Sequence, residues 1–366
     1  MSWKKKLEKR LQKYPILHDW IMLAYLSLGN KKSEKVPEPT LKQVYSSVWI
    51  ENTNACNLNC ITCDTKLSKR PVGYMKIELY EKIIRELKKI GVKKVALHTV
   101  GEPFVHKEFN DHLRIAYENG IGIVLSTNGQ ILTEQHIESL LKYPPIQIRY
   151  SVDGATKETY EKIRRGGKFE RLIKNMEKLS DAMEKAGVKI PVRIGSMILE
   201  DNIEELSMFY DVFRKFVRDS SYIDFKMPNT LSATDAKDYF GDFGTTITPR
   251  IPCGLLWSSI AILYDGRISA CCRDYHGELI MGNILEQSLS EIWNGKRYKE
   301  VRRKHLSGNV SDVPMCKNCF RSASPREAKK ISIALHLVQK SKLRFLNRII
   351  AKAFLPPPLR RTIKGK

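Results

Sequence analysis

The feature that most constrains this chain is a regular alternation of short apolar runs and amphipathic stretches between about residues 44 and 230. Val44 to Ile50, Val95 to Thr99, Ile121 to Ser126, Ile146 to Val152, Val192 to Leu199 and Tyr222 to Lys226 read as strands. They are short and rich in β-branched residues, which suit a pleated surface. Ile77 to Ile90, Phe109 to Asn119, Glu134 to Leu141, Phe169 to Ala186 and Ile203 to Phe216 read as helices, with apolar residues every three or four positions. Gly91, Gly120 and Gly187 stop three of them, and Asn128-Gly129 and Asp153-Gly154 are turn signals. Repeated strand–helix units demand a parallel sheet with right-handed crossovers. Six units are too few for a closed eight-fold barrel. They fit an α/β fold built as an open, partial (β/α)6 barrel, with the chemistry in loops at the strand C-termini.

The rest of the chain divides around that barrel at 42–230. Residues 1–41 form a basic leader with Trp3, Leu7, Leu11 and Tyr14 at helical spacing, closing on Val36-Pro37-Glu38-Pro39. Residues 231–250 are a polar linker, 251–325 a small Cys-rich α+β module, and 326–366 a basic amphipathic tail. The net charge is +23, and most of it belongs to the two ends. Residues 1–40 hold nine Lys/Arg against four Asp/Glu, and residues 321–366 hold thirteen against one. Such ends fit a solvated surface or an anionic membrane surface equally well. Nucleic acid is disfavoured, because no recognition motif accompanies the charge. No run of about 20 apolar residues and no signal peptide is present, which points to a cytoplasmic protein, with the inner face of the membrane as an alternative site of residence.

Eight cysteines, at 56, 60, 63, 253, 271, 272, 316 and 319, cluster too tightly for a secreted disulfide framework and suggest metal binding. Cys56, Cys60 and Cys63 have C-x3-C-x2-C spacing directly after a strand. Thiolates select soft metals such as iron–sulfur, zinc or copper(I). Three local ligands can hold three corners of a cubane and leave one iron open, whereas structural zinc wants four closed ligands.

The run Cys-Asn-Leu-Asn-Cys-Ile-Thr-Cys from Cys56 to Cys63 resembles the cluster loop of the radical S-adenosylmethionine (SAM) superfamily. One departure is Thr62, where many members carry an aromatic residue near the adenine. Gly101-Glu102-Pro103 resembles the superfamily's GGEP motif, with Val100 in place of its first glycine; the resemblance implies that its backbone and glutamate hold the SAM amino group. Ser126-Thr127-Asn128-Gly129 and Ser151-Val152-Asp153-Gly154 resemble loops that line the ribose and carboxylate of SAM. Ser126, Asn128, Ser151 and Asp153 are therefore SAM-contact candidates. Arg164 is the matching arginine for the methionyl carboxylate, with Arg165 as its rival, because a guanidinium fork can bond both oxygens. The resemblance implies a partial (β/α)6 TIM-like barrel and a [4Fe–4S] cluster that binds SAM. It also implies a reductant such as ferredoxin or flavodoxin.

Cys253, Cys271, Cys316 and Cys319 give C-x17-C-x44-C-x2-C. With Asp265-Gly266, Cys271-Cys272-Arg273-Asp274 and Gly282-Asn283-Ile284, the module resembles a SPASM/twitch auxiliary-cluster domain. Four cysteines suffice for one fully ligated [4Fe–4S] cluster, making two clusters in all. Cys271 matches the ligand position of single-cluster relatives; spacing alone leaves its neighbour Cys272 open. Taken by itself, Cys316-x2-Cys319 would favour a zinc ribbon, but the barrel context turns the reading to iron–sulfur.

The implied activity is reductive SAM cleavage followed by hydrogen abstraction from an unactivated C–H bond. The single-cluster pattern favours oxidation or modification of a carbohydrate, cyclitol or lipid head group. Rivals are a ribosomal-peptide maturase, disfavoured by a leader short for a peptide-recognition domain; a membrane-lipid coupling enzyme; and a non-enzymatic electron-transfer or scaffold protein. Tyr74, His98, His106, Tyr150 and Asp274 are further candidates to line the pocket.

Overall fold

A computed structural model describes residues 47–226 and 252–319, apart from 64, 66–67, 219–221 and 318. The leader, the 231–250 linker and the basic tail lie outside the described residues, and so do the amphipathic helices expected there.

Six parallel strands follow one another across the sheet: β1 (Ser47–Ile50), β2 (Lys94–Leu97), β3 (Gly122–Thr127), β4 (Gln147–Ser151), β5 (Val192–Met197) and β6 (Ile223–Lys226). Helices α1 (Ile77–Lys89), α2 (Phe109–Glu118), α3 (Glu134–Lys142), α4 (Lys157–Ile163), α5 (Phe169–Ala186) and α6 (Met208–Phe213) form the crossovers. Each helix buries one stripe: Tyr80, Ile83, Ile84 and Leu87 in α1, and Leu172, Met176 and Leu179 in α5. These pack on the outward residues of the strands, such as Leu97, Leu125, Ile148, Tyr150 and Ile194, in one continuous core. The alternate strand residues face the other side, as the two-residue period of a strand requires.

Two segments differ from the sequence expectation. The expected helix from Ile203 to Phe216 is broken into a 3-10 turn at Glu200–Glu205, α6, and a second 3-10 turn at Arg214–Phe216. Asn202 accepts from the Leu199 amide and donates to the carbonyls of Met197 and Asp153, so its side chain competes with helical pairing. Glu205 is likewise held by Ala155, Thr156 and Thr159. Helix α4 is additional to the expected elements; Thr156 caps it by accepting from the Thr159 amide.

The Cys-rich module continues the same sheet. Strand β7 (Ser259–Ile262) pairs in parallel with β1, and β8 (Arg267–Ser269) and β9 (Ile280–Asn283) follow antiparallel. The described sheet thus runs β6-β5-β4-β3-β2-β1-β7-β8-β9. Helices α7 (Leu255–Ser258), α8 (Leu289–Trp293) and α9 (Lys296–Leu306) pack on it. Strand β1, which leads into the first cysteine loop, is therefore flanked by both modules.

Candidate active site

The loops at the C-terminal ends of β1 to β5 enclose a cavity of about 260 Å3. Cys56, Cys60 and Cys63 all reach its wall, with Glu102, Ser126, Asn128, Ser151 and Arg164. The cysteine loop is fixed on two sides. Its Asn59 and Ile61 amides donate to the carbonyls of Arg165 and Ile163 at 2.8 and 3.0 Å, and the Glu102 amide donates to the Ala55 carbonyl at 2.8 Å. Gly101 sits between them with φ of +81°, and a Cβ there would fall 2.4 Å from the Thr53 carbonyl oxygen. Only glycine permits both that backbone and that approach.

Glu102 is buried and heavily engaged. Its carboxylate accepts from Thr127 Oγ1 at 2.8 Å, the Asn128 amide at 2.6 Å and the Phe104 amide at 3.3 Å. Burial pushes its pKa up to about 7, against those bonds and the charge of Arg164. Asn128 in turn donates to Asn57 Oδ1 at 2.8 Å and points the same amide at Cys56 Sγ, 3.8 Å away. The glutamate thus ties the cysteine loop to the end of β3.

Arg164 closes the far side. Its Nε lies 2.7 Å from Asp153 Oδ2, and its Nη1 donates to Cys60 Sγ at 3.9 Å. Burial works against the charge, but Asp153 and then Cys60 outweigh it, and the Arg164 pKa is raised. Burial also raises the Cys60 thiol, with Arg164 pulling the other way. Ser126 Oγ is buried on the cavity side with no hydrogen-bond partner among the described residues, a donor–acceptor aimed at whatever fills the cavity.

The Cys-rich module contributes to the same wall through Tyr275. Its carbonyl accepts from Ser68 Oγ at 2.8 Å and Arg70 Nε at 2.9 Å. Arg70 also donates through both Nη atoms to the two oxygens of Glu51 at 2.8 Å, a bidentate pair with side chains 3% and 0% exposed. Thr99 Oγ1 adds a 2.7 Å bond to Glu51. One buried ion pair therefore joins the end of β1, the end of β2, the segment after the cysteine loop and the turn that carries Tyr275.

In that module Cys253, Cys271, Cys316 and Cys319 are partly buried, and the first three pack against the main core. The Cys253 amide donates to His305 Nδ1 on α9 at 3.3 Å, and the Cys319 amide closes a turn on the Cys316 carbonyl at 3.1 Å. The Cys271 thiol is raised by its bond to Cys272 and by burial. Cys272 is partly buried too but does not join the core. Among the described residues no three Cys, His, Asp or Glu side chains converge tightly enough to clasp one ion. Cys56, Cys60 and Cys63 instead line a volume, as a multi-iron group requires.

Comparison with known proteins decides the family. The radical SAM superfamily matches residues 50–212, and an iron–sulfur cluster-binding SPASM domain matches residues 253–320. The mycofactocin maturase MftC of Mycobacterium tuberculosis is 33% identical over 290 residues, covering 70% of this chain and 73% of that one. The chain belongs to the radical SAM superfamily. An S-adenosyl-L-methionine-dependent 2-deoxy-scyllo-inosamine dehydrogenase of Niallia circulans is 21% identical, covering 76% of this chain and 94% of that one. An AdoMet-dependent heme synthase of Methanosarcina barkeri is 28% identical, and the match spans 49% of this chain and 50% of that one. In fold, Streptococcus suis SuiB bound to its precursor peptide SuiA superposes with a TM-score of 0.55 at 16% identity, covering 77% of this chain and 72% of that one.

This radical SAM protein is an enzyme, with a SAM-binding [4Fe–4S] cluster and a SPASM auxiliary site. Of the eight residues the sequence singles out for SAM contact, Gly101, Glu102, Ser126, Asn128, Ser151 and Arg164 stand on the cavity wall. Two do not. Pro103 is buried at the head of a 3-10 turn, its carbonyl accepting from Asn52. Asp153 is buried beneath the wall, accepting from the Met197 amide at 2.8 Å while holding Arg164. Of the five further candidates only His98 lines the cavity. Tyr74 is exposed, Tyr150 turns to the helices, His106 bonds the Met75 carbonyl, and Asp274 braces its own turn through Ser269 and the amides of Glu278 and Leu279. Sequence reasoning misses Met197 and Tyr275. Strand alternation from Gly195 would place Met197; nothing local marks Tyr275. No helix among the described residues is long and apolar enough to cross a membrane.

Proposed function

We propose that the enzyme abstracts a hydrogen atom from an unactivated C–H bond of a carbohydrate, cyclitol or lipid head group, giving net oxidation or modification. The observation that supports this is one cavity in which the three loop cysteines, the buried Ser126 hydroxyl and Arg164 meet Tyr275 of the auxiliary module. In this reading Cys56, Cys60 and Cys63 ligate the first cluster, which with SAM supplies the 5′-deoxyadenosyl radical. Gly101 and Val100 offer backbone to the SAM amino group, and Glu102 braces Asn128. Ser126 takes the ribose, and Ser151 and Arg164 take the carboxylate, with Asp153 orienting the guanidinium. Cys253, Cys271, Cys316 and Cys319 ligate one auxiliary cluster, which supplies an electron sink. The protein's part is to position these groups and keep water out.

A second reading, peptide maturation, draws on the likeness to the maturase MftC. The two part on substrate: a dehydrogenase accepts a free small alcohol, a maturase only a peptide. Reductant is supplied by a ferredoxin or flavodoxin, and the basic ends suit a cytoplasmic protein resting on an anionic membrane face.

The deciding experiment is anaerobic reconstitution with iron and sulfide counting, then dithionite and SAM. About eight irons are expected for two cubanes. 5′-Deoxyadenosine is expected, and its loss in the Cys56/Cys60/Cys63→Ala variant. SAM cleavage that survives in that variant refutes the assignment.

A further inference from the structure

The sheet face that carries Ser151 and Met197 into the cavity continues away from it, and there it is charged. On β4, Ile148 and Tyr150 belong to the outer core, so Arg149 shares the inner face with Ser151. On β6, Phe225 packs on Phe209 of α6, so Asp224 faces inward. On β5, Arg193, Gly195 and Met197 do the same. Ser151 is in register with Gly195, and Gly195 with Asp224.

Arg149 is laid across that row. A Cβ on Gly195 would fall 2.6 Å from Arg149 Nε and 2.8 Å from Nη2, so the guanidinium rests directly over the missing side chain. This lifts it from its own level to the level of Ser151; Ser151 lines the cavity, and Arg149 lies beside it without lining it. It is held there lightly, by a bond from Nη2 to Asp224 Oδ2 at 3.3 Å. The same carboxylate is taken more closely by Arg193, through Nε at 3.1 Å and Nη2 at 2.5 Å. Two guanidinium groups thus share one carboxylate, with side chains 21%, 29% and 26% exposed. Burial, opposed by Asp224 and reinforced by Arg193, lowers the Arg149 pKa, which marks a cation short of negative charge.

We propose that Arg149, spread over Gly195 beside the cavity, receives an oxyanionic group of the substrate, a carboxylate or a phosphate monoester. A planar fork suits either anion, which would complete the charge that Asp224 supplies only in part. The reacting C–H bond would then be presented from an anchor on the β4–β6 side of the cavity. The inference deepens the functional reading above and rests on it only for the identity of the cavity.

The test is calorimetric titration of the reconstituted full-length enzyme with inorganic phosphate and with acetate, at low ionic strength. Saturable binding of one or both is expected, and the tighter probe identifies the ester or the acid. Arg149→Gln should weaken it about tenfold or more, as expected for removing a charged bond from a partly buried anion. Gly195→Ala keeps every charge but displaces the guanidinium, and should weaken it as well. Asp224→Asn should tighten it, because the competing carboxylate is gone. Binding unaltered by Arg149→Gln, or weakened by Asp224→Asn, would show a structural brace and overturn the proposal. SAM cleavage on the same preparation separates the failures: cleavage without anion binding sinks this inference alone, and anion binding without cleavage sinks the radical reading alone.

Discussion

Arg70→Met offers the sharpest test of how the two modules are joined. Arg70 and Glu51 are both buried, and the pair makes two 2.8 Å bonds. Removing the guanidinium leaves the Glu51 carboxylate in a dry site, its remaining partners among the described residues being Thr99 Oγ1 at 2.7 Å and the Tyr264 amide at 3.4 Å. It also takes Arg70 Nε away from the Tyr275 carbonyl. Stranding one member of a buried ion pair costs about 3–5 kcal/mol, so about 4 kcal/mol is expected here. Glu51→Gln with Arg70→Met carries no buried charge and keeps an acceptor for Thr99; it should cost only about 1–2 kcal/mol. The double variant should thus be more stable than Arg70→Met alone, by about 2–3 kcal/mol. Guanidinium unfolding of the anaerobically reconstituted protein reads it. If Arg70→Met costs under about 1 kcal/mol, or the double variant is the less stable of the two, the pair is not the clamp described here.

Two further outcomes follow from the same geometry. A carboxyl whose pKa is raised binds its proton more tightly in the folded state, so Glu102 contributes fully below its ordinary 4.5 and progressively less as pH rises to about 7. That interval is worth roughly 3 kcal/mol; Glu102→Gln should flatten this part of the stability–pH profile, and an unchanged slope would refute the buried-carboxyl account. For the auxiliary site, Cys271→Ser should lower the iron content by about four per chain, and Cys272→Ser should leave it unchanged; the reverse would move the ligand to Cys272.

What is legible in the sequence is what is local. The cysteine loop, the Gly101-Glu102-Pro103 loop and the serine turns each occupy a few consecutive residues, and their positions at strand ends follow from the βα alternation. That alternation is readable because its helices carry one clear apolar stripe each. It misleads between Ile203 and Phe216, where apolar spacing continues but Asn202 and Glu205 take backbone partners away from the helix. Pro103 and Asp153 sit in loops whose pattern points to SAM, yet neither side chain reaches the cavity wall. A loop's place does not say which of its side chains turns inward.

The harder omissions are relations between strands. That Tyr275 stands on the same wall as Cys56 depends on β7 joining β1 at the sheet edge, where Ser47 meets Ser259 and Ile50 meets Ile262. No local pattern in either segment names the other as its partner, since any short apolar strand could fill that edge. Once the edge is shared, β1 cannot shift without carrying both modules. Glu51 follows it directly and holds Arg70, and Arg70 holds the Tyr275 carbonyl. A change at the auxiliary cysteines that moved the turn carrying Tyr275 would therefore reach the cavity wall through one buried ion pair, which is why the Arg70 variants test the joint between the modules as well as its stability.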